Sequence, residues 1–234
     1  MGCAIREQFD LCPKQDECDK ESCSWGASLK SLLKYSKIPA VQMSSRVLTP
    51  QEVDIEAFTR LFEIGENIYD RVNTPDYDSY RNVLICSNNC GNGKTAWAIK
   101  LMQKYFIQIA ATSYLDAEDK GIYHGCFVPT NQLIFDAKQF GTATFYKRFD
   151  EMAQQADRAD ITIFDDIGAA DYSKYDYSTL FVTIDRRLFA HKFCIFTTNF
   201  TSQEDLGEAV GKRLADRIWR TSEIIEFKGD GIRC

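Results

Sequence analysis

The chain has 234 residues, 44% of them hydrophobic and 26% charged, a balance that excludes collagen-like and wholly disordered classes and suits one ordinary domain with a small appendage. A formal net charge of -6, with a pI near 5.1, excludes general attraction to nucleic acid, so any DNA contact must come from a local basic patch and be weak and salt-sensitive. No run approaches the roughly 18 apolar residues of a membrane helix and the first residues lack a signal peptide's apolar core, so a cytoplasmic protein with no membrane partner is expected.

Residues 1–48 differ from the rest. Four of the nine cysteines, Cys3, Cys12, Cys18 and Cys23, fall there, and in a reducing compartment they read as thiols or metal ligands rather than disulfides. Their thiolates would close a tetrahedral Zn²⁺ site and supply fold energy that so short a region lacks. Against zinc, no CxxC knuckle is present, and His124 and His191 are far away in sequence. One helix is predicted at 27–35. A region this short needs a metal, a partner or the main domain to hold it.

The second region, 49–234, opens with a helix start: Thr49 as cap, Pro50 in the first helical position and Glu52 closing a capping box. Ile55, Phe58, Leu61, Phe62 and Ile68 continue it at helical spacing. Short apolar runs at 83–86, 126–128, 161–164, 193–197 and 224–227 then predict strands. Helical patterns at 94–109, 131–140 and 180–190 lie between them. This alternation predicts an α/β fold with a mostly parallel sheet flanked by helices. Cys86, Cys126 and Cys194 in these runs read as small buried hydrophobes.

The strand at 83–86 leads into Ser87-Asn88-Asn89-Cys90-Gly91-Asn92-Gly93-Lys94-Thr95, which opens the next helix. It is nearly the GxxxxGK[ST] P-loop, with Asn88 in place of the first glycine, a substitution expected to be mild because Asn tolerates a left-handed backbone. Backbone amides would cradle the phosphates of ATP, Lys94 would reach the β and γ phosphates, and Thr95 would bind Mg²⁺. The strand Ile161-Thr162-Ile163-Phe164 ends in Asp165 and Asp166, where the first acid would hold Mg²⁺ and the second would position or deprotonate water.

Several stretches together resemble the DnaC/DnaI/IstB helicase loaders of the AAA+ ATPases, in particular the bacteriophage members. They are Gly91-Asn92-Gly93-Lys94-Thr95-Ala96-Trp97-Ala98, Phe164-Asp165-Asp166-Ile167-Gly168-Ala169, Ile184-Asp185-Arg186-Arg187 leading into Thr197-Thr198-Asn199-Phe200, and the ending from Arg217 to Arg233. The resemblance covers roughly residues 50–234. It implies an AAA+ fold without a helical lid, self-association through ATP sites, and docking on a hexameric replicative helicase, with residues 1–48 as the docking module. It also implies roles: Asn199 as sensor 1, Arg217 as the arginine finger of a neighbouring subunit, Arg233 as sensor 2. Asp166, where Glu is commoner, implies slow hydrolysis. The helix around Arg217 reads equally as an amphipathic helix with solvated arginines.

In that family single-stranded DNA is met from the AAA+ face. The local candidate is Phe145-Tyr146-Lys147-Arg148-Phe149, rings for stacking and cations for phosphate, or else an ordinary helix with an aromatic face and a solvated one. Tyr172, Tyr175 and Tyr177 form a weaker aromatic cluster. Two other functions share the core motifs: an IstB-like transposition ATPase, separated by its transposase partner, and a P-loop kinase, separated by phosphoryl transfer to a small acceptor.

Overall fold

A parallel strand is covered on both faces, so its apolar residues run continuously instead of alternating with polar ones. The five runs do this in a computed structural model that describes residues 24–43, 51–74, 82–112, 124–139, 143–170 and 172–231. They form β1 (Asn82–Cys86), β2 (Gly125–Pro129), β3 (Ile161–Ile167), β4 (Phe193–Thr198) and β5 (Ser222–Glu226), all parallel, in the order β2-β3-β4-β1-β5.

Successive side chains feed two cores. Val83, Ile85, Phe127, Ile163 and Ile195 face one side, against α1 (Ser24–Tyr35), α3 (Ile55–Glu66), α4 (Ile68–Asn73) and α5 (Lys94–Thr112). Leu84, Val128, Phe164 and Phe196 face the other, against α6 (Thr130–Lys138), α7 (Ala143–Arg158), α8 (Lys174–Phe189), α9 (Gln203–Val210) and α10 (Lys212–Thr221). A short α2 (Ala40–Met43) follows α1.

Of the three supports open to the amino-terminal region, the main domain holds its described part. Leu29, Leu32, Leu33 and Ile38 are buried in the first core. The Phe127 amide donates to the Ser36 carbonyl at 2.7 Å, and Gln155 donates to the Tyr35 carbonyl. Each such apolar side chain contributes about 1.5–3 kcal/mol when buried.

Several boundaries differ from expectation. Thr49 and Pro50 lie outside the described residues, and the chain first makes a 3-10 turn at Glu52–Asp54 before α3. Ile55 and Phe62, counted towards the helix's apolar face, are 52% and 55% exposed. β5 starts two residues before the predicted run because Ser222 and Glu223, neither of them apolar, pair in register with Asn82 and Val83 of β1. α8 starts well before 180, fixed by a capping box in which Ser173 and Asp176 serve each other's backbone amides.

Arg187 is fully buried. Its guanidinium donates to the carbonyls of Ala156, Ala159, Asp160 and Phe193, tying the entry of β3 to that of β4. Of the paired arginines Arg186 and Arg187, this one is a structural pin.

Candidate functional site

Parallel strands direct their carboxyl ends to one edge of the sheet, and the loops that leave that edge come together there. The loop after β1 is organised by Ser87, whose hydroxyl accepts from the Asn89 amide at 3.1 Å and from Asn92 Nδ2 at 2.6 Å. Gly93 takes φ 96°, a left-handed turn that lets α5 start at Lys94. Lys94 is buried, and its ammonium donates to the Asn89 carbonyl at 2.8 Å and to Asn92 Oδ1 at 3.3 Å. Burial lowers its pKa from the ordinary lysine value, opposed by Cys90, Asp166, Cys86 and Asp165.

Asn88 corrects one expectation. The non-glycine residues with positive φ among those described are Lys37, Asp166 and His191, so Asn88 needs no left-handed tolerance. Its side chain instead accepts from the Thr201 hydroxyl at 3.1 Å, joining the loop to the segment after β4. Cys90, at the crest of the loop, is an exposed free thiol.

Asp165 meets this loop. Its Oδ1 accepts from Thr95 at 2.8 Å and from Thr197 at 2.7 Å. The carboxyl is pushed above its ordinary pKa by burial, which those two hydroxyls partly offset. Asp166 takes φ 59°, and its amide donates to the Thr197 hydroxyl at 2.8 Å. Asn199 Nδ2 donates to Asp166 Oδ1 at 3.3 Å. Thr130 donates to the carbonyls of both acids, at 2.9 and 3.1 Å.

The geometry thus joins Asn89, Cys90, Gly91, Asn92, Gly93, Lys94, Thr95, Asp165, Asp166 and Asn199 in one place. A hydroxyl and a carboxylate 2.8 Å apart suit a hard cation such as Mg²⁺, and the ammonium and the start of α5 suit phosphate oxygens. Thr197 and Thr130 complete the site and were not predicted. Thr197 stood within the quoted Phe196-Thr197-Thr198-Asn199, whereas Thr130, following Pro129, carried no signal.

Arg217 is placed elsewhere within the chain. It pairs with Asp185 of α8, and with Arg213 it lies over the Phe181 ring, at 5.4 Å and 4.8 Å respectively. Arg233, Cys3, Cys12, Cys18 and Cys23 lie outside the described residues. Among those described, no group of His, Cys, Asp or Glu forms a metal cluster, and no helix is long and apolar enough to cross a membrane.

The aromatic-basic stretch lies on α7. Phe145 packs edge-on against Phe135 at 5.8 Å, and Arg148 stands 5.7 Å from the Phe145 ring and 3.6 Å from Asp136. Tyr146 and Lys147 are exposed. Tyr172, by contrast, is buried, with its ring edge-on to Tyr177 at 6.2 Å and its hydroxyl donating to Asn131 at 3.1 Å and accepting from the Gly168 amide.

No family model matches the chain, and no curated relative does. Solved structures do. A crystal structure of the DnaC helicase loader has a TM-score of 0.59 at 19% identity, covering 81% of this chain and 100% of that one. One of DnaI has a TM-score of 0.61 at 16% identity, covering 84% and 95%. The replication initiator DnaA bound to AMPPCP and single-stranded DNA has a TM-score of 0.54 at 16% identity, covering 79% of this chain and 49% of that one. In fold, the chain is similar to these three proteins.

Proposed function

We propose that the chain is an ATP-dependent loader of a hexameric replicative helicase, of the kind found among bacteriophage replication proteins. The observation that carries this reading is the 2.8 Å hydrogen bond from Thr95 to Asp165, next to the buried Lys94 that the loop after β1 holds, on a fold shared with the DnaC loader over that protein's whole length.

In this reading the amides of residues 91–95 and the Lys94 ammonium bind the phosphates, while Thr95 and Asp165 hold the metal. Mg²⁺, when bound, neutralises phosphate charge. Asp166, oriented by Asn199 and by Thr197 at its backbone, holds the attacking water and takes its proton. Thr197 keeps the two acids in fixed relation. Arg217 of a neighbouring subunit leaves Asp185 to stabilise negative charge developing on the phosphate, a task for which a planar guanidinium is suited. Residues 1–48, with or without zinc, form the helicase-docking module ahead of the ATPase domain at 49–234. Phe145, Tyr146 and Lys147 offer a weak contact for single-stranded DNA.

The test is purification with candidate helicases in the presence of ATP, of ADP and of neither, read by the mass of the complex. A complex whose stoichiometry depends on ATP is expected. Absence of adenine nucleotide binding, or capture of a transposase in place of a helicase, would overturn the loader reading.

A further inference from the structure

We propose that Asp54 and Gln51 are positioning residues that hold residues 228–231 against the loop after β1 and so set that loop's affinity for a triphosphate, a role that rests on reading the loop as a triphosphate cradle.

Asp54 is 4% exposed, although it sits in a short turn at the chain's entry to α3. Its carboxylate is spent on residues some 175 positions away: Oδ1 accepts from the amides of Lys228 at 2.7 Å and Gly229 at 3.1 Å, and Oδ2 accepts from Gly229 at 3.2 Å. Gln51 adds a reciprocal pair, accepting from the Asp230 amide at 3.2 Å and donating to its carbonyl at 2.8 Å. Charge-assisted bonds to backbone amides are among the stronger ones, and two side chains here fix three consecutive residues.

The segment they fix leaves β5 with the Phe227 amide on the Cys86 carbonyl at 2.9 Å and then lies on the loop. Gly231 is pressed so close that a Cβ there would come within 1.9 Å of the Cys90 carbonyl oxygen. Asn89 is the shared member. Its side chain donates to the Gly229 carbonyl at 3.1 Å, while its own carbonyl accepts from Lys94 at 2.8 Å.

A loop rich in glycine pays for ordering when it binds, and an external brace lowers that cost. The brace therefore raises affinity, and Asn89 carries its effect to the lysine that meets the phosphates.

The test titrates the full chain with a fluorescent ATP analogue and Mg²⁺ and follows amide hydrogen exchange of residues 88–93 without nucleotide. Asp54→Asn, which loses one acceptor oxygen and the charge, is expected to bind about tenfold more weakly and to exchange faster in the loop. Gly231→Ala, which forces the segment off Cys90, should give the same loss, and the double variant no more than either. The milder Gln51→Ala should fall between, keeping the experiment decisive if Asp54→Asn folds poorly.

Unchanged affinity and loop exchange in these variants would overturn the brace, as would additive losses in the double variant. Wild-type protein that binds no nucleotide would overturn the triphosphate reading and its dependence on the brace together, while loop exchange would still report whether Asp54 orders the loop.

Discussion

Thr197 donates its hydroxyl to Asp165 Oδ1 at 2.7 Å, the same oxygen that accepts from Thr95. The acid is thus solvated by two hydroxyls in a buried place, a poor home for a charge in the absence of a cation.

Asp165→Asn is accordingly expected to abolish Mg²⁺-dependent ATP binding while raising the melting temperature of the ligand-free protein by a few degrees. Burial raises the folded carboxyl above its ordinary value of 3.8, so the folded chain holds this proton more tightly than the unfolded one. Stability from this group is therefore greatest below 3.8 and declines as pH rises through the window up to the raised value. Metal binding needs the charged form and runs the opposite way. Melting curves across that window, compared with the variant that lacks the titration, check the sign.

Asp166→Asn should keep ATP binding and slow single-turnover hydrolysis about 10²–10⁴-fold, the usual share of a general base. Asn also accepts the left-handed backbone at φ 59°, so the fold should be unharmed. Asp166→Val, which does not tolerate that conformation, should cost about 1–2 kcal/mol in addition. Asn199→Ala should slow hydrolysis less than either, since Asp166 keeps its backbone anchor on Thr197.

Arg217→Ala should leave ATP binding intact and reduce hydrolysis by the assembled protein about 10³-fold or more. Its partners Asp185 and Phe181 belong to α8, and the role proposed for it is on the phosphate of a neighbouring subunit. Mixing Arg217→Ala with Asp166→Asn subunits should restore part of the lost rate, at junctions that pair an intact acid with an intact arginine. No recovery on mixing would argue against a shared site.

Arg187→Met should lower stability by about 3 kcal/mol or more, since four carbonyls, three of them in buried hydrogen bonds, lose a donor, without altering ATP affinity where the protein stays folded. Chemical denaturation beside nucleotide titration separates the two effects.

How far these relationships were visible in the sequence follows from their range. The loop, lysine and hydroxyl are contiguous from Ser87 to Thr95, and the two acids end one apolar run, so the chemistry was readable without tertiary knowledge. Five parallel strands were readable for the same reason, as buried runs between turns. Of α7 only residues 145–149 were legible as a helix, and as one of two alternatives, while α9 was not, having eight residues with acids in its first turn. The burial of Arg187 was not readable, because only tertiary structure supplies its carbonyls. Thr130 and Asp54 act through partners 35 and 174 residues away, beyond the reach of any local pattern.

The seating of α1 has a practical bearing on dissecting the amino-terminal region. Leu29, Leu32, Leu33 and Ile38 are part of the same apolar interior as α5, which begins at Lys94. A deletion carried to the predicted border near residue 48 would strip a wall from that interior, and failed helicase capture would then report a damaged fold as readily as a missing docking element. The informative cut stops at residue 23, ahead of the first described helical turn, where Cys3, Cys12, Cys18 and Cys23 are removed and the domain keeps its lining.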